Sequence, residues 1–401
     1  MVDIYRLDKQ KLSLPLQLLL RILAVDKNDA WTEQAGLFAD MDWDAFIKLA
    51  RHHRVHPYLY TKLKEIGSGY VPAPVLRGFY QEYCNNTFIM LGLSGEMERI
   101  CQVFEGIGIR SLFLKGPVLA VDLYGDISHR TSCDLDILIP IKDLFRAEKK
   151  LEELGYRKDD YIDSVLNDWK WRHHHTTFIH PRTGIKVELH WRLNPAPSKE
   201  PGFEQLWSRR RLSPVSSHPL FYLGKEDLFL FLVTHGARHG WSRLRWLLDI
   251  KQILVQSPDP VMLKRLLKAN RTTHIGGQAL VLASQLLDVW PQPALLPLMA
   301  GNRPGKLAEE AMFYISRMVQ LHTLPLPEEV ERYHKRHLFS LMTVQQRGLF
   351  MLSFLFPYPE DAKTLPLPKT LHFLYLPLRP FLWAWRKLQG ERHEKGIDRL
   401  L

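Results

Sequence analysis

The sequence predicts an α+β protein in which a small mixed sheet with helices is flanked by N-terminal and C-terminal helical regions. Three observations predict it. Apolar residues recur at helical spacing before residue 95. Between 96 and 200 short apolar runs alternate with turn residues. Helical periodicity returns from 221 to 401. In "DWDAFIKLARHHRVHPYLYTKLKEI", Trp43, Phe46, Ile47 and Ala50 fall on one helical face, with Asp40 or Asp42 available as the cap. "SGEMERICQVFEGIGI" reads as a helix leading into a strand, "IRSLFLKG". A helical stretch from Val118 to Tyr124, a polar loop "GDISHRTSC" and a strand "DLDILIP" follow. "IKDLFRAEKKLEELGY" is a charged helix stopped by Gly155. "HTTFIHP" and "GIKVELHWRL", joined through Pro and Gly, form a hairpin signal. The Pro/Ser stretch 195–220 marks the boundary before the last helical region, which ends in a Pro-rich aromatic tail, "LPLPKTLHFLYLPLRPFLWAWRKL".

Composition narrows the function classes. A chain of 401 residues, 46% hydrophobic and 24% charged, is built to bury a large core. No apolar run reaches the roughly 18 residues of a membrane span. The N-terminus "MVDIYRLDKQ" lacks the pattern of a signal peptide. Three cysteines without motif spacing argue for a reducing compartment, so a cytoplasmic protein is expected. The net charge of +11 favours anionic partners. The basic residues are scattered and no nucleic-acid module is present, so nucleic acid is not an expected partner. Trp383 and Trp385 beside Arg379, Arg386 and Lys387 could sit at a lipid surface; packing of this tail on the helical region is the preferred expectation.

The chemistry concentrates at "FLKGPVLAVDLYGDISHRTSCDLDILIP", where two carboxylates sit inside an apolar strand. Desolvating an ionised carboxylate costs several kcal/mol unless it is paired or metal-bound. Side chains two apart on a strand share a face, so Asp134 and Asp136 point together with Leu135 and Ile137 behind them. Lys186, Glu188 and His190 share a face of the later strand. If the two strands are neighbours, Glu188 joins the pair, and a divalent cation relieves the repulsion. Oxygen ligands suit Mg²⁺ or Mn²⁺, with phosphate oxygens completing the shell. His235 and His239, four apart in "THGARHG", share a helix face but lack the Glu of a zinc protease, so they are read as pocket-lining or structural. Asp249 is expected to pair with Arg245 on a helix face, the "HHH" at 173–175 to be an exposed turn cluster, and Cys133 to be an apolar filler.

"FLKGPVLAVDLYGDISHRTSCDLDILI", "KVELHWRL" and "HGARHGWSRLRWLLDI" together resemble the uncharacterised bacterial nucleotidyltransferase-like family of the DNA polymerase β-type nucleotidyltransferase superfamily. The resemblance is best over 112–250. It implies paired metal ligands at Asp134 and Asp136, with Glu188 as the third acid, binding a second metal or deprotonating the acceptor. It also implies a turn at Gly116 that lets the backbone approach a triphosphate. The superfamily's Gly-Gly or Gly-Ser step is Gly116-Pro117 here. Pro117 has no N–H, so Lys115 and Arg130 are the available phosphate contacts. His235 and His239 are further candidates for the nucleotide pocket.

Two functions follow. The first is a magnesium-dependent, nucleotide-binding (ATP-binding) transferase that moves NMP from an NTP to a small-molecule, peptide or protein acceptor. The second is a decayed nucleotidyltransferase fold serving as an NTP-binding or protein-interaction scaffold, a reading that Pro117 keeps open. Under the first, Asp134→Asn or Asp136→Asn is expected to abolish transfer and leave the fold as stable or more so.

Overall fold

The turn at 181–184, with Gly184 at φ +69°, closes the predicted hairpin, and around it a mixed sheet assembles. The computed structural model describes residues 5–9, 11–25, 36–67, 69–159, 162–321, 323 and 325–397, with side chains to residue 388. The architecture is α+β. Its strands are β1 (Leu112–Phe113), β2 (Asp134–Leu138), β3 (Arg157–Lys158), β4 (His175–Ile179), β5 (Lys186–His190), β6 (Arg211–Ser213) and β7 (Leu220–Tyr222), in the spatial order β3-β4-β5-β2-β1-β7-β6. β4 and β5 pair antiparallel, β2 and β5 pair parallel, and β1 pairs antiparallel with β2 and parallel with β7.

The sheet thus continues past residue 200. The stretch 195–220, expected as a boundary, contributes the helix Phe203–Ser208 and β6, and leads directly into β7. Three-residue strands are too short to show an alternation in sequence. At the other end, the helix Ala73–Gly106 runs 34 residues without interruption across the expected boundary at 95. One side of the sheet explains why. Leu135, Ile137, Val187, Leu189 and Phe178 all point to the face opposite the acids, where they pack with Met90, Leu93, Met97, Ile100 and Phe104 of that long helix. Each such side chain gains about 1.5–3 kcal/mol by leaving water, and the long helix covers them together with Leu144, Ala147 and Leu151 of the helix Leu144–Glu153.

The second core joins N-terminal and C-terminal helices. The helix Trp43–His52 begins where the sequence places it, with the Asp42 carboxylate accepting from Ala45 N at 2.9 Å. Its Phe46, Leu49 and Ala50 pack in one cluster with the helices Lys225–Arg238, Leu244–Val255 and Thr273–Leu287. His52 caps this contact: Nε2 donates to Ser242 O at 3.1 Å, and Nδ1 accepts from Arg243 Nη1 at 2.8 Å. A carbonyl can only accept and a guanidinium only donate, so the ring is held neutral. Burial first and the Arg243 charge second push its pKa down to about 4.

A buried ion pair joins sheet and helices. Arg130 is 1% exposed and Asp249 0%. Arg130 Nε lies 3.0 Å from Asp249 Oδ1 and Nη2 3.0 Å from Oδ2, while Tyr124 Oη donates to Oδ1 at 2.7 Å. This corrects the expected Asp249–Arg245 pair. Asp249 faces inward toward the loop before β2, and Arg245 donates instead to Thr131 Oγ1 at 2.8 Å.

The C-terminal tail also departs from expectation. Tyr375 and Arg379 are buried, and Arg379 and Arg386 both bind Asp361. Phe381, Trp383, Trp385 and Leu388 nevertheless face outward from the helix Tyr375–Ile397, because the ion pairs occupy the side that packs. Among the described residues no helix is long and apolar enough to cross a membrane.

Asp249→Asn leaves Arg130 buried without a counter-charge and should cost about 3–5 kcal/mol in urea unfolding; a loss under about 1 kcal/mol would show that the pair does not hold sheet and helices together. Unfolded His52 takes up its proton near pH 6.5 and folded His52 only near pH 4. Stability from the neutral ring is therefore full above pH 6.5 and is lost progressively as pH falls toward 4. The unfolding midpoint should drop across that window in the wild type and less steeply in His52→Gln. Identical slopes would discard the assignment.

Candidate functional site

The register of β2 on β5 sets the site. Asp134 stands opposite Lys186, Asp136 opposite Glu188 and Leu138 opposite His190, and β4 adds Thr177 beside Glu188 and His175 beside His190. All these positions share the face turned away from the long helix Ala73–Gly106; at its far end Leu138 packs into the second core. Lys115 reaches it from the end of β1, where Leu114 N donates to Asp136 O at 3.0 Å. Gly116 follows at φ +85°, a conformation that side-chain-bearing residues rarely adopt, and turns the chain into the helix Pro117–Tyr124. A Cβ there would meet Leu135 Cδ2 at 3.7 Å and Asp134 O at 3.8 Å, ordinary contacts, so the requirement for glycine is conformational.

Asp136 is completely buried. Its Oδ1 receives Lys115 Nζ at 2.9 Å and His190 Nε2 at 3.2 Å. Its Oδ2 has no hydrogen-bond partner. Glu188 Oε1 binds Lys186 Nζ at 2.6 Å, and Oε2 lies 3.5 Å from His190 Nε2 and 3.9 Å from His175 Nε2. Burial pushes the Asp136 carboxyl up, but Lys115 and the His190 hydrogen bond outweigh it and hold its pKa below the usual range. Burial likewise opposes the Glu188 charge, and the hydrogen bond and charge of His190 carry its pKa well down. The His190 pKa rises despite burial because it faces both acids. Asp134 behaves oppositely: burial and then the Asp136 charge raise its pKa. Its closest support is Ser132 Oγ, 3.5 Å from Oδ1.

The structure therefore brings Asp134, Asp136 and Glu188 to one face as the two-residue periodicity predicts, and adds His190 to them. Potential ligand atoms of Asp136, Glu188 and His190 lie within 4.8 Å of one another. The orphaned Asp136 Oδ2 and this convergent donor set fit a divalent cation.

The acid face forms one wall of a cavity of about 700 Å³. Helix residues form another. His235 lies tilted against His239 (4.6 Å between centroids) and edge-on to Trp246 (5.3 Å), with its pKa lowered by burial and by Lys115. Arg130 reaches the cavity but is committed to Asp249. Arg54, Arg238, Arg243 and Arg245 also line it, and among the described residues none of the four has an ion pair. Burial lowers the pKa of Arg238 to about 10. It lowers Arg243 to about 10, with help from Arg54, and Arg245 to about 9, with help from Arg130 and Arg54. The buried Nε atoms of Arg238 and Arg245 have no partner. Cations so placed are stabilised by an anionic ligand.

The sequence pattern assigns Arg245 to Asp249 and gives Arg54, Arg238 and Arg243 no role. Their signal was the spacing in "HGARHGWSRLRW", which brings Arg238, Arg243 and Arg245 into the segment carrying His235 and His239. The "HHH" cluster is also corrected. His174 and His175 point into the cavity rather than out of a turn, because β4 begins at His175 and pairs it with His190. Burial lowers the pKa of both, to about 4 for His175 with help from His190. Cys133 is exposed, not a filler, and receives Arg54 Nη1 at 3.6 Å.

The match to a family model agrees with the motif reading. A family model described as "Uncharacterised nucleotidyltransferase" matches residues 39–288, more than half of the chain. No curated protein matches the sequence. Among solved structures, an antigenic nucleotidyltransferase-like protein from Paracoccidioides brasiliensis is similar at 13% identity and a TM-score of 0.30, over 51% of this chain and 95% of that one.

The two aspartates should separate in a stability test. The raised pKa of Asp134 means that its charge opposes folding at neutral pH, so Asp134→Asn should raise the ligand-free unfolding midpoint. Asp136→Asn should lower it, since Lys115 and His190 lose their counter-charge. That outcome departs from the sequence expectation for Asp136; midpoints raised alike in both variants would restore it.

Proposed function

The chain belongs to the uncharacterised nucleotidyltransferase family, and from that premise we propose that it transfers a nucleoside monophosphate from an NTP to a hydroxyl or phosphate of a small-molecule, peptide or protein acceptor. The observation that carries this reading is the bipolar cavity, with carboxylates on one wall and unpaired arginines on the other. A triphosphate with a divalent cation has matching polarity. The cation, Mg²⁺ or Mn²⁺, would be held by Asp136 and Glu188 with Asp134 on the same face. When bound it supplies positive charge to the phosphates and orients them. Lys115, Arg54, Arg238, Arg243 and Arg245 would hold phosphate oxygens.

In the reaction the acceptor oxygen bonds to the α-phosphorus, the bond to pyrophosphate breaks, and the acceptor proton leaves. Glu188, held far below the usual carboxylate pKa, is a weak base, so its part is to hold charge rather than to take that proton. His235, His239 and Trp246 offer rings for a nucleobase to stack on. Arg130 supports the wall through Asp249, and Gly116 turns the chain beneath it. Pro117 at the first turn of its helix supplies no N–H to a phosphate, and the arginine wall compensates. The three free thiols suit action in the cytoplasm.

The test is thermal unfolding with ATP, GTP, CTP and UTP, each with and without Mg²⁺ or Mn²⁺. A cation-dependent rise of several degrees with at least one nucleotide is expected, together with pyrophosphate release. Arg245→Ala and Asp136→Asn should both lose the rise. Binding without turnover would favour the scaffold reading, and no rise with any nucleotide would reject both.

A further inference from the structure

We infer that the cation site on this face is a mixed nitrogen–oxygen site, with His190 as a ligand beside Asp136 and Glu188, and that it selects a first-row transition ion such as Mn²⁺ over Mg²⁺. This rests on the proposal that the acid face holds a divalent cation, and does not require that nucleotide transfer occurs.

His190 is oriented as a ligand would be. Its Nδ1 lies 3.4 Å from Arg192 O. A backbone carbonyl only accepts, so the hydrogen of a neutral ring belongs on Nδ1. Nε2 then directs a lone pair at Asp136 Oδ1, 3.2 Å away, and at Glu188 Oε2, 3.5 Å away. Lys115 and Lys186 offset two of the three carboxylates Asp134, Asp136 and Glu188, so the acceptors that face one another still call for a further positive charge. In the ligand-free protein a second proton on His190 can serve; a metal ion replaces that proton without moving the Nδ1–H. Metal-binding histidines characteristically donate their other N–H to a carbonyl or carboxylate in this way. Asp136 Oδ2, buried and without a protein hydrogen-bond partner, supplies an independent pointer, since a buried acceptor calls for a partner.

The surroundings add nitrogen rather than oxygen. Ring nitrogens of His174, His175 and His190 lie within 4.8 Å of one another, and the His175 and His190 ring centroids are 4.9 Å apart. Mg²⁺ favours oxygen ligands and retains its waters, whereas the first-row ions accept imidazole nitrogen increasingly well from Mn²⁺ onward. A face with one buried and one half-buried carboxyl and an imidazole at its centre therefore discriminates by ligand type.

The full-length protein, free of nucleotide, would be titrated with Mn²⁺ and with Mg²⁺ by calorimetry, and the Mn²⁺ form examined by pulsed electron paramagnetic resonance for ¹⁴N coupling. Mn²⁺ should bind at least about tenfold more tightly than Mg²⁺ and show ¹⁴N modulation. His190→Gln should lose the modulation and about tenfold or more in Mn²⁺ affinity, with Mg²⁺ little changed. Equal affinities with no ¹⁴N signal overturn the nitrogen ligation while leaving an all-oxygen cation site standing. A ¹⁴N signal that persists in His190→Gln overturns the assignment to His190. No binding of either ion overturns the inference together with the cation site, while a nucleotide-free Mn²⁺ site in a protein that transfers nothing leaves it intact. Should His190→Gln fail to fold, the wild-type spectrum and the Mn²⁺ to Mg²⁺ ratio still decide.

Discussion

Asp136 carries its charge where no solvent reaches it, and much of the surrounding structure answers that requirement. A carboxylate removed from water costs several kcal/mol unless the protein supplies charge and hydrogen bonds in its place. Lys115 and His190 do so from opposite sides, one from the end of β1 and the other from β5. Lys115 reaches the acid because Leu114 is hydrogen-bonded to the Asp136 carbonyl and Gly116 then turns the chain away. His190 reaches it because β2 and β5 run parallel in a register that places Glu188 opposite Asp136. A slip of one residue on either strand would turn these groups into the apolar core and bring Leu135 or Leu189 to the cavity. The same register thus maintains both faces of the sheet.

The cavity gains its character from the separation of charge across it. The acids are attached to the sheet, and Arg238, Arg243 and Arg245 to the facing ends of the helices Lys225–Arg238 and Leu244–Val255 and the turn that joins them. Without a tie between these units the two walls would have no fixed spacing. Arg130 and Asp249, with Tyr124, provide that tie in the interior, where low effective dielectric strengthens a well-formed pair and penalises a broken one. Committing Arg130 to Asp249 leaves Arg245 free to bridge to Thr131, next to the loop that enters β2. The unpaired guanidinium groups concentrate part of the chain's +11 charge in one concave place.

The long helix Ala73–Gly106 and the C-terminal tail show two uses of apolar surface. The helix runs unbroken over the apolar face of the central strands, which it covers together with the helix Leu144–Glu153. In the tail, Asp361 draws Arg379 and Arg386 to the packing side, and the aromatic residues between them are left outward. The tail's composition could not reveal this, since it contains both kinds of residue in near alternation.

Local regularities were legible in the sequence. The two-residue period placed Asp134 and Asp136 together and Leu135 and Ile137 opposite, the Pro–Gly turn announced β4 and β5, and Asp42 marked its helix. Each depends only on neighbours in the chain and on backbone geometry that any chain of this pattern would share. What the tertiary structure alone decided were the partnerships: Asp249 with Arg130 across 119 residues, His190 between two acids, and the inward turn of His174 and His175. It also decided the recruitment of β6 and β7 and the unpaired state of Arg238, Arg243 and Arg245. A charge at a given position chooses its partner by distance and desolvation. Both are set only when distant segments are packed against one another.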